Sequence, residues 1–157
     1  MALSLEHFKL LTPKVNRYSP GTGGVPDITW QEVCDLLATL DAPSRIFARW
    51  RYGFDSSIRV RLVELLTINS LRKDSDNRKR FFENRLMAYR FAELGLLMHE
   101  KSAYLTKKQK AQIAGVRHWS RKHEEKLRNV GSFLDELDFN VIDSVRKWNR
   151  QAREEGG

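Results

Sequence analysis

The chain has 157 residues, 41% of them hydrophobic, enough to bury the core of one domain of ordinary size. No run of about 18 apolar residues occurs, which excludes a membrane-spanning helix. The formal net charge is +8, and a single cysteine, Cys34, excludes an internal disulfide and a cysteine-rich zinc site.

The first 28 residues read as an extended arm. Pro13, Pro20, Pro26 and the run Gly21-Thr22-Gly23-Gly24 interrupt any lasting periodicity. The opening MALSLEHFKLLTPK lacks the basic start, apolar centre and small-residue cleavage site of a secretory signal, so a reducing cytoplasm is expected. Helix signals begin at once after the arm. Thr29 and Glu32 form a capping box, with Ile28 and Val33 placed as a hydrophobic staple. That helix, Trp30 to Leu40, ends before Pro43, which opens a second one carrying Ile46, Phe47 and Trp50. Asp55-Ser56-Ser57 marks another start, followed by Ile58, Leu62, Leu65 and Leu66 at helical spacing.

A polar patch, Arg72 to Asn77, separates this helix from a long one ending near His99, whose inward stripe is Phe81, Phe82, Leu86, Tyr89, Ala92 and Leu96. The segment Thr106 to Leu137 then outlines a helix-turn-helix. Thr106 and Gln109 make a second capping box, Ala111 leaves room for a close crossing, and Gly115 supplies the left-handed turn. The second helix is expected to open with Arg117, His118, Trp119, Ser120, Arg121 and Lys122, the end that enters a major groove in DNA-bound relatives of this motif. Arg121 occupies the place where an apolar residue usually follows the glycine, so either the turn is shortened or the second helix is rotated. The seam Trp119, His123, Leu127, Val130, Leu134 and Leu137 favours rotation. A last helix is expected to begin at Asn140 and Asp143, with Val141, Val145 and Trp148 inside. No period-two stretch appears. The expectation is an all-α fold of about six or seven helices in one helical domain over residues 29–155.

Residues 101–128 carry nine Lys or Arg against Glu124 and Glu125, a local +7 that nearly equals the charge of the whole chain. Such an excess suits a surface that meets phosphates, although a solvated helical face gives the same count. The motif IFARWRYGF, with Arg45, Arg49, Arg51 and Arg59 around Phe47, Trp50, Tyr52 and Phe54, reads either as an adhesive patch or as core aromatics with arginines outside.

Catalytic patterns are poor. Pro26-Asp27 and Glu124-Glu125-Lys126 echo a metal-dependent nuclease, but they lie in the arm and mid-helix, where no sheet converges them on a metal. His118 and His123 are separated by about 140° around a helix and do not share a zinc. The glycines of GTGG lack the Lys-Ser/Thr ending of a phosphate loop. No enzyme activity, cofactor, metal or small-molecule substrate is expected.

Two segments carry a resemblance. FKLLTPKVNRYSPGTGGVPDITWQEVCDLL is similar to the amino-terminal signature of lambdoid phage late-gene antitermination proteins, the Q group, and AQIAGVRHWSRKHEEKLRNVGSFLDELD resembles their carboxy-terminal part. The resemblance implies a non-enzymatic factor that binds double-stranded DNA near a phage late promoter and loads onto host RNA polymerase to suppress pausing and termination in the bacterial cytoplasm. The DNA-facing role then falls on Arg117, His118, Ser120, Arg121 and Lys122, with Lys107, Lys108 and Lys110 suited to phosphates. The chain lacks the Cys-x-x-Cys pairs that bind zinc in better-known members, which implies a zinc-free branch. Two other readings stand beside this one: a dimeric helix-turn-helix repressor or activator at an operator, and a basic phage protein that inhibits a host complex.

Overall fold

Helix starts in this chain are set by short polar side chains that satisfy otherwise unpaired backbone N–H groups. In the computed structural model, which describes residues 2–11, 28–75, 79–101 and 104–156, six α-helices and two 3-10 helices form, and no strand occurs among the described residues. The fold is all-α. The chain divides into two compact units, one of residues 1–59 with 137–157 and the other of residues 60–136.

In the first unit, helix α1 (Trp30–Ala38) opens with the expected box: Thr29 Oγ1 accepts from the Glu32 N–H at 3.2 Å, and Glu32 accepts from the Thr29 N–H at 2.9 Å. Ile28 and Val33, the two staple positions, are both buried. Helix α2 (Ala42–Arg51) is capped by Asp41, which accepts from the Ser44 N–H at 3.0 Å, with Pro43 in its first turn. The Arg-aromatic motif resolves as core: Phe47 and Trp50 are buried with ring centroids 5.9 Å apart, while Arg45 and Arg51 are exposed. Phe54 is the exception. It is 61% exposed and holds a positive φ of 50°, a backbone region uncommon for a bulky residue.

The part of the expected arm that the structure describes is ordered onto this unit. Leu5–Leu11 form a 3-10 helix with Phe8 buried, and the Asn149 side chain pairs with both backbone groups of Leu3 at 2.8 Å. The proline and glycine-rich strap, residues 12–27, lies outside the described residues. Tyr52 donates its hydroxyl to Asp138; burial first, and then that anionic acceptor, raise the phenol above its ordinary pKa.

In the second unit, a 3-10 turn capped by Asp55 (Ser56–Ile58, in the first unit) leads into α3 (Arg59–Ser75), followed by α4 (Arg85–Lys101), α5 (Lys107–Ala114) and the first part of α6 (Arg121–Gly156). Two expectations are corrected here. Helix α3 runs into the polar patch as far as Ser75, with Asp74 turned inward. Phe81 and Phe82 precede α4 instead of belonging to it, so the helical stripe shifts: Ala88, Phe91, Leu94 and Leu96 are buried, and Leu86 is 54% exposed. Asn84 starts the helix by accepting from the Met87 N–H at 2.9 Å.

A third correction concerns the last helix, which does not begin at Asn140. Helix α6 is continuous over 36 residues. No glycine or proline separates Leu137 from Val141, and the buried series Leu134, Leu137, Val141, Val145 keeps helical spacing through the expected break. Asn140 contacts Ser44 at 3.4 Å and Asp143 pairs with Lys147 at 3.0 Å, so neither side chain caps a helix start.

Helices α4 and α6 meet where Gly95 faces Val130. A Cβ added at Gly95 would lie 2.4 Å from Val130 Cγ1 and 3.0 Å from its Cβ, too close without backbone movement. Gly95→Ala gains about 1 kcal/mol of helix propensity against an overpacking cost of about 1–3 kcal/mol. The expected result is a net loss of up to about 2 kcal/mol in urea unfolding, whereas a gain in stability would show that this helix contact yields freely.

Candidate nucleic-acid interface

The break between α5 and α6 is built almost entirely from local chemistry. Thr106 Oγ1 accepts from the Gln109 N–H at 3.2 Å, and Gln109 Oε1 accepts from the Thr106 N–H at 2.9 Å. Gly115 sits at φ 72°, ψ 30°, the left-handed region that favours glycine. Its N–H donates to the Gln112 carbonyl at 3.3 Å and the Val116 N–H donates to the Ala111 carbonyl at 3.0 Å, the paired bonds of a Schellman stop.

The chain then leaves helix for six residues, 115–120, a turn longer than the three or four residues usual between such helices. This corrects the expected register. Arg117, His118, Trp119 and Ser120 lie in the turn and not on the second helix, whose first residues are Arg121 and Lys122. The turn is lengthened, neither shortened nor simply rotated, because Ser120 is the cap: its hydroxyl accepts from the His123 N–H at 3.3 Å, and its own N–H donates to His123 Nδ1 at 3.1 Å. His123 therefore plays the part that Glu or Gln takes in an ordinary capping box.

Beneath the turn lies an aromatic cluster. Trp119 stacks on Phe91 with centroids 5.5 Å apart and planes 18° apart, His123 lies 5.4 Å from Trp119, and Phe81 and Phe82 meet Phe91 edge-on. Asp74 anchors the near side of the cluster. Its carboxylate accepts from the Phe81 and Phe82 N–H groups at 3.0 and 2.9 Å and faces Lys126 at 3.4 Å, with both charged side chains buried. Burial pushes the Asp74 carboxyl upward, but the two N–H donors and the ammonium outweigh it and hold the group below the usual carboxylate range.

The sites expected from sequence separate into two sets. Lys107, Lys108, Arg117, His118, Arg121 and Lys122 are all exposed around the break. Lys110 is not. It is 8% exposed, donates to both oxygens of Glu124 at 3.0 and 3.1 Å, and lies 6.0 Å from the Trp119 ring centre. Glu124 also accepts from Trp119 Nε1, so Lys110 closes a structural triad and is not available to a phosphate. Lys126 is likewise withdrawn, which leaves seven of the nine cations of residues 101–128 exposed. Ser120 is exposed, but its hydroxyl is committed to the cap.

Lys107, Ser120 and Arg121 line a groove of about 590 Å³ together with Tyr104, Trp119 and Arg128, while Arg117 lines a second groove of about 500 Å³ beside Arg90 and Gly115. Tyr104 and Arg90 were not singled out by sequence reasoning, whereas Arg128 falls on the basic side of the second helix, off its apolar seam. Tyr104 lies before a cap where no periodicity applies, and Arg90 looks like any solvated helical charge. Among the described residues no group of His, Cys, Asp or Glu is arranged to hold a metal ion, and no helix is long and apolar enough to cross a membrane. No protein-family model, curated protein or solved structure matches the chain.

Two outcomes follow for this cluster. Asp74→Ala strands Lys126 in the interior and leaves the buried Phe82 N–H and the part-buried Phe81 N–H without their acceptor, so unfolding stability should drop by about 3–5 kcal/mol, and a loss under 1 kcal/mol would mean that solvent reaches Lys126. Burial lowers the His123 pKa from 6.5, so the unfolded chain takes up the proton first as pH falls. Stability associated with neutral His123 is complete above that value and declines below it, down to the folded-state pKa. His123→Gln keeps a capping-box acceptor and removes the titration, so urea midpoints measured from pH 7.5 to 5 should fall less steeply than in the parent; identical slopes would place the acid sensitivity elsewhere.

Proposed function

We propose that this chain binds double-stranded DNA through the α5–turn–α6 front and serves as a transcription antitermination factor that loads near a phage late promoter onto host RNA polymerase. The observation that carries the DNA-binding part is the set of exposed cations, Lys107, Lys108, Arg117, Arg121 and Lys122, on the two helix ends and the turn joined by a left-handed glycine break. Cations in this arrangement exchange condensed counterions for phosphate contacts, and the first turn of α6, with Arg121 foremost, is the element suited to base edges. Arg117, placed in the turn, contacts the backbone beside the groove. The antitermination part rests on the likeness of the two end segments to the Q group. In that role the protein acts in the bacterial host cytoplasm by binding alone, without catalysis, cofactor or membrane.

A labelled duplex titrated over a salt series tests the first part, with an expected log-log slope of about −0.9 per phosphate contacted. Arg121→Ala should cost about 1–3 kcal/mol and relax base preference, while Lys108→Ala should weaken all sequences alike and flatten the salt slope by about one. Unchanged affinity and preference in Arg121→Ala would remove α6 from the DNA. Transcription across a terminator with purified host polymerase tests the second part. Readthrough that depends on a promoter-proximal site supports antitermination, loss of initiation indicates a repressor, and salt-insensitive, featureless DNA binding indicates a basic inhibitor of a host protein complex.

A further inference from the structure

The groove beside the turn has features that duplex contact leaves unused. Tyr104 is 91% exposed, a large planar ring left in solvent directly ahead of the α5 cap, where Leu105 takes the packing role and joins the aromatic and aliphatic cluster. Trp119 forms part of the same wall and is immobilised by its stack on Phe91 and its hydrogen bond to Glu124. Three exposed cations share the groove, Lys107 from α5 and Arg121 and Arg128 from α6. The acid that would otherwise oppose them, Glu124, is neutralised by Lys110, leaving Glu125 as the exposed carboxylate of the lining.

An exposed ring beside several cations fits one ligand chemistry better than others. Phosphates of a duplex meet cations, but paired bases have their faces covered by their neighbours and offer nothing to Tyr104. An unpaired base offers its face, and its phosphates follow the cations; this is the combination by which single strands are held. The volume of about 590 Å³ lies within the range of ligand clefts, roughly 300–1,000 Å³, and the groove is open to solvent.

We propose that this groove is a second nucleic-acid site, sharing Arg121 with the duplex surface, which takes an unpaired nucleotide of a single strand, its base stacked on Tyr104 and its phosphates held by Arg121 and Arg128. The site deepens the nucleic-acid reading of the α5–turn–α6 motif by giving it a strand-specific partner beside the duplex one. Through this site the protein distinguishes opened from closed nucleic acid.

The test uses the full chain with three probes: a short fluorescently labelled single-stranded oligodeoxynucleotide, the oligoribonucleotide of the same sequence, and the corresponding DNA duplex. Tyr104→Ala, at a solvent-exposed position that leaves the core untouched, should weaken single-strand binding roughly 5- to 150-fold and leave duplex binding unchanged. Tyr104→Phe should retain the parent affinity, because stacking uses the ring and not the hydroxyl. Arg128→Ala should also weaken single-strand binding and make its dependence on salt shallower than in the parent. Tyr104-dependent binding of either strand supports the site, and the two arms show whether its natural source is DNA or RNA. Duplex binding without single-strand binding, or single-strand binding indifferent to Tyr104→Ala, overturns the site while the duplex reading stands. Tyr104-dependent single-strand binding without duplex binding upholds the site and removes the duplex reading.

Discussion

The buried Asp74 carboxylate is the constraint on which the candidate interface depends. It holds the backbone of Phe81 and Phe82 on one side and the Lys126 ammonium of α6 on the other, so the irregular link before α4 and the first turns of α6 are fixed to the same point. Buried ion pairs seldom stabilise a fold on balance, since the desolvation of two charges rivals their attraction. What this one contributes is position. With Phe81 and Phe82 held, Phe91 has edge-on partners, Trp119 has a flat surface to stack on, and the turn that carries Arg117 and His118 acquires a floor.

A second consequence is the division of the basic charge. Nine cations within 28 residues look alike in sequence, yet Lys110 and Lys126 are absorbed by Glu124 and Asp74, and the others remain in solvent. The two that are absorbed lie on inward faces, where an unpaired ammonium would be too costly to bury. Those that remain exposed include Lys107, Lys108, Arg117, Arg121 and Lys122, on either side of Gly115 in the chain. The interface thus owes its exposed charge to the same ion pairs that organise the interior, because each pair also ties an acid that would otherwise weaken the basic surface.

In the first unit, the segment before the strap packs into the core. Phe8 and Leu3 are buried, and Asn149 closes the segment by pairing with the Leu3 backbone in both directions. Phe47 gathers Trp50 and Tyr52 around it, and Arg49 turns to Asp55, which caps the next turn. The arginine-aromatic motif that suggests an adhesive patch in sequence is therefore mostly scaffold, with Phe54 the aromatic left in solvent beside the exposed Arg45 and Arg51.

The features decided by neighbouring residues were legible without coordinates. Both capping boxes, the helix start at Asp55, the left-handed Gly115 and the buried seam of Leu127, Val130 and Leu134 depend on contacts within one or two helical turns, and local backbone geometry leaves them few alternatives. The start of α6 at Arg121, its unbroken run past Asn140, the inward turn of Asp74 and the loss of Lys110 to Glu124 were settled by tertiary packing. Asp74 and Lys126 are 52 positions apart, and nothing along the chain says that they meet. A charged residue announces its charge in sequence, but whether that charge is spent inside or offered outside depends on which helical faces come together, and only the folded arrangement of those faces determines it.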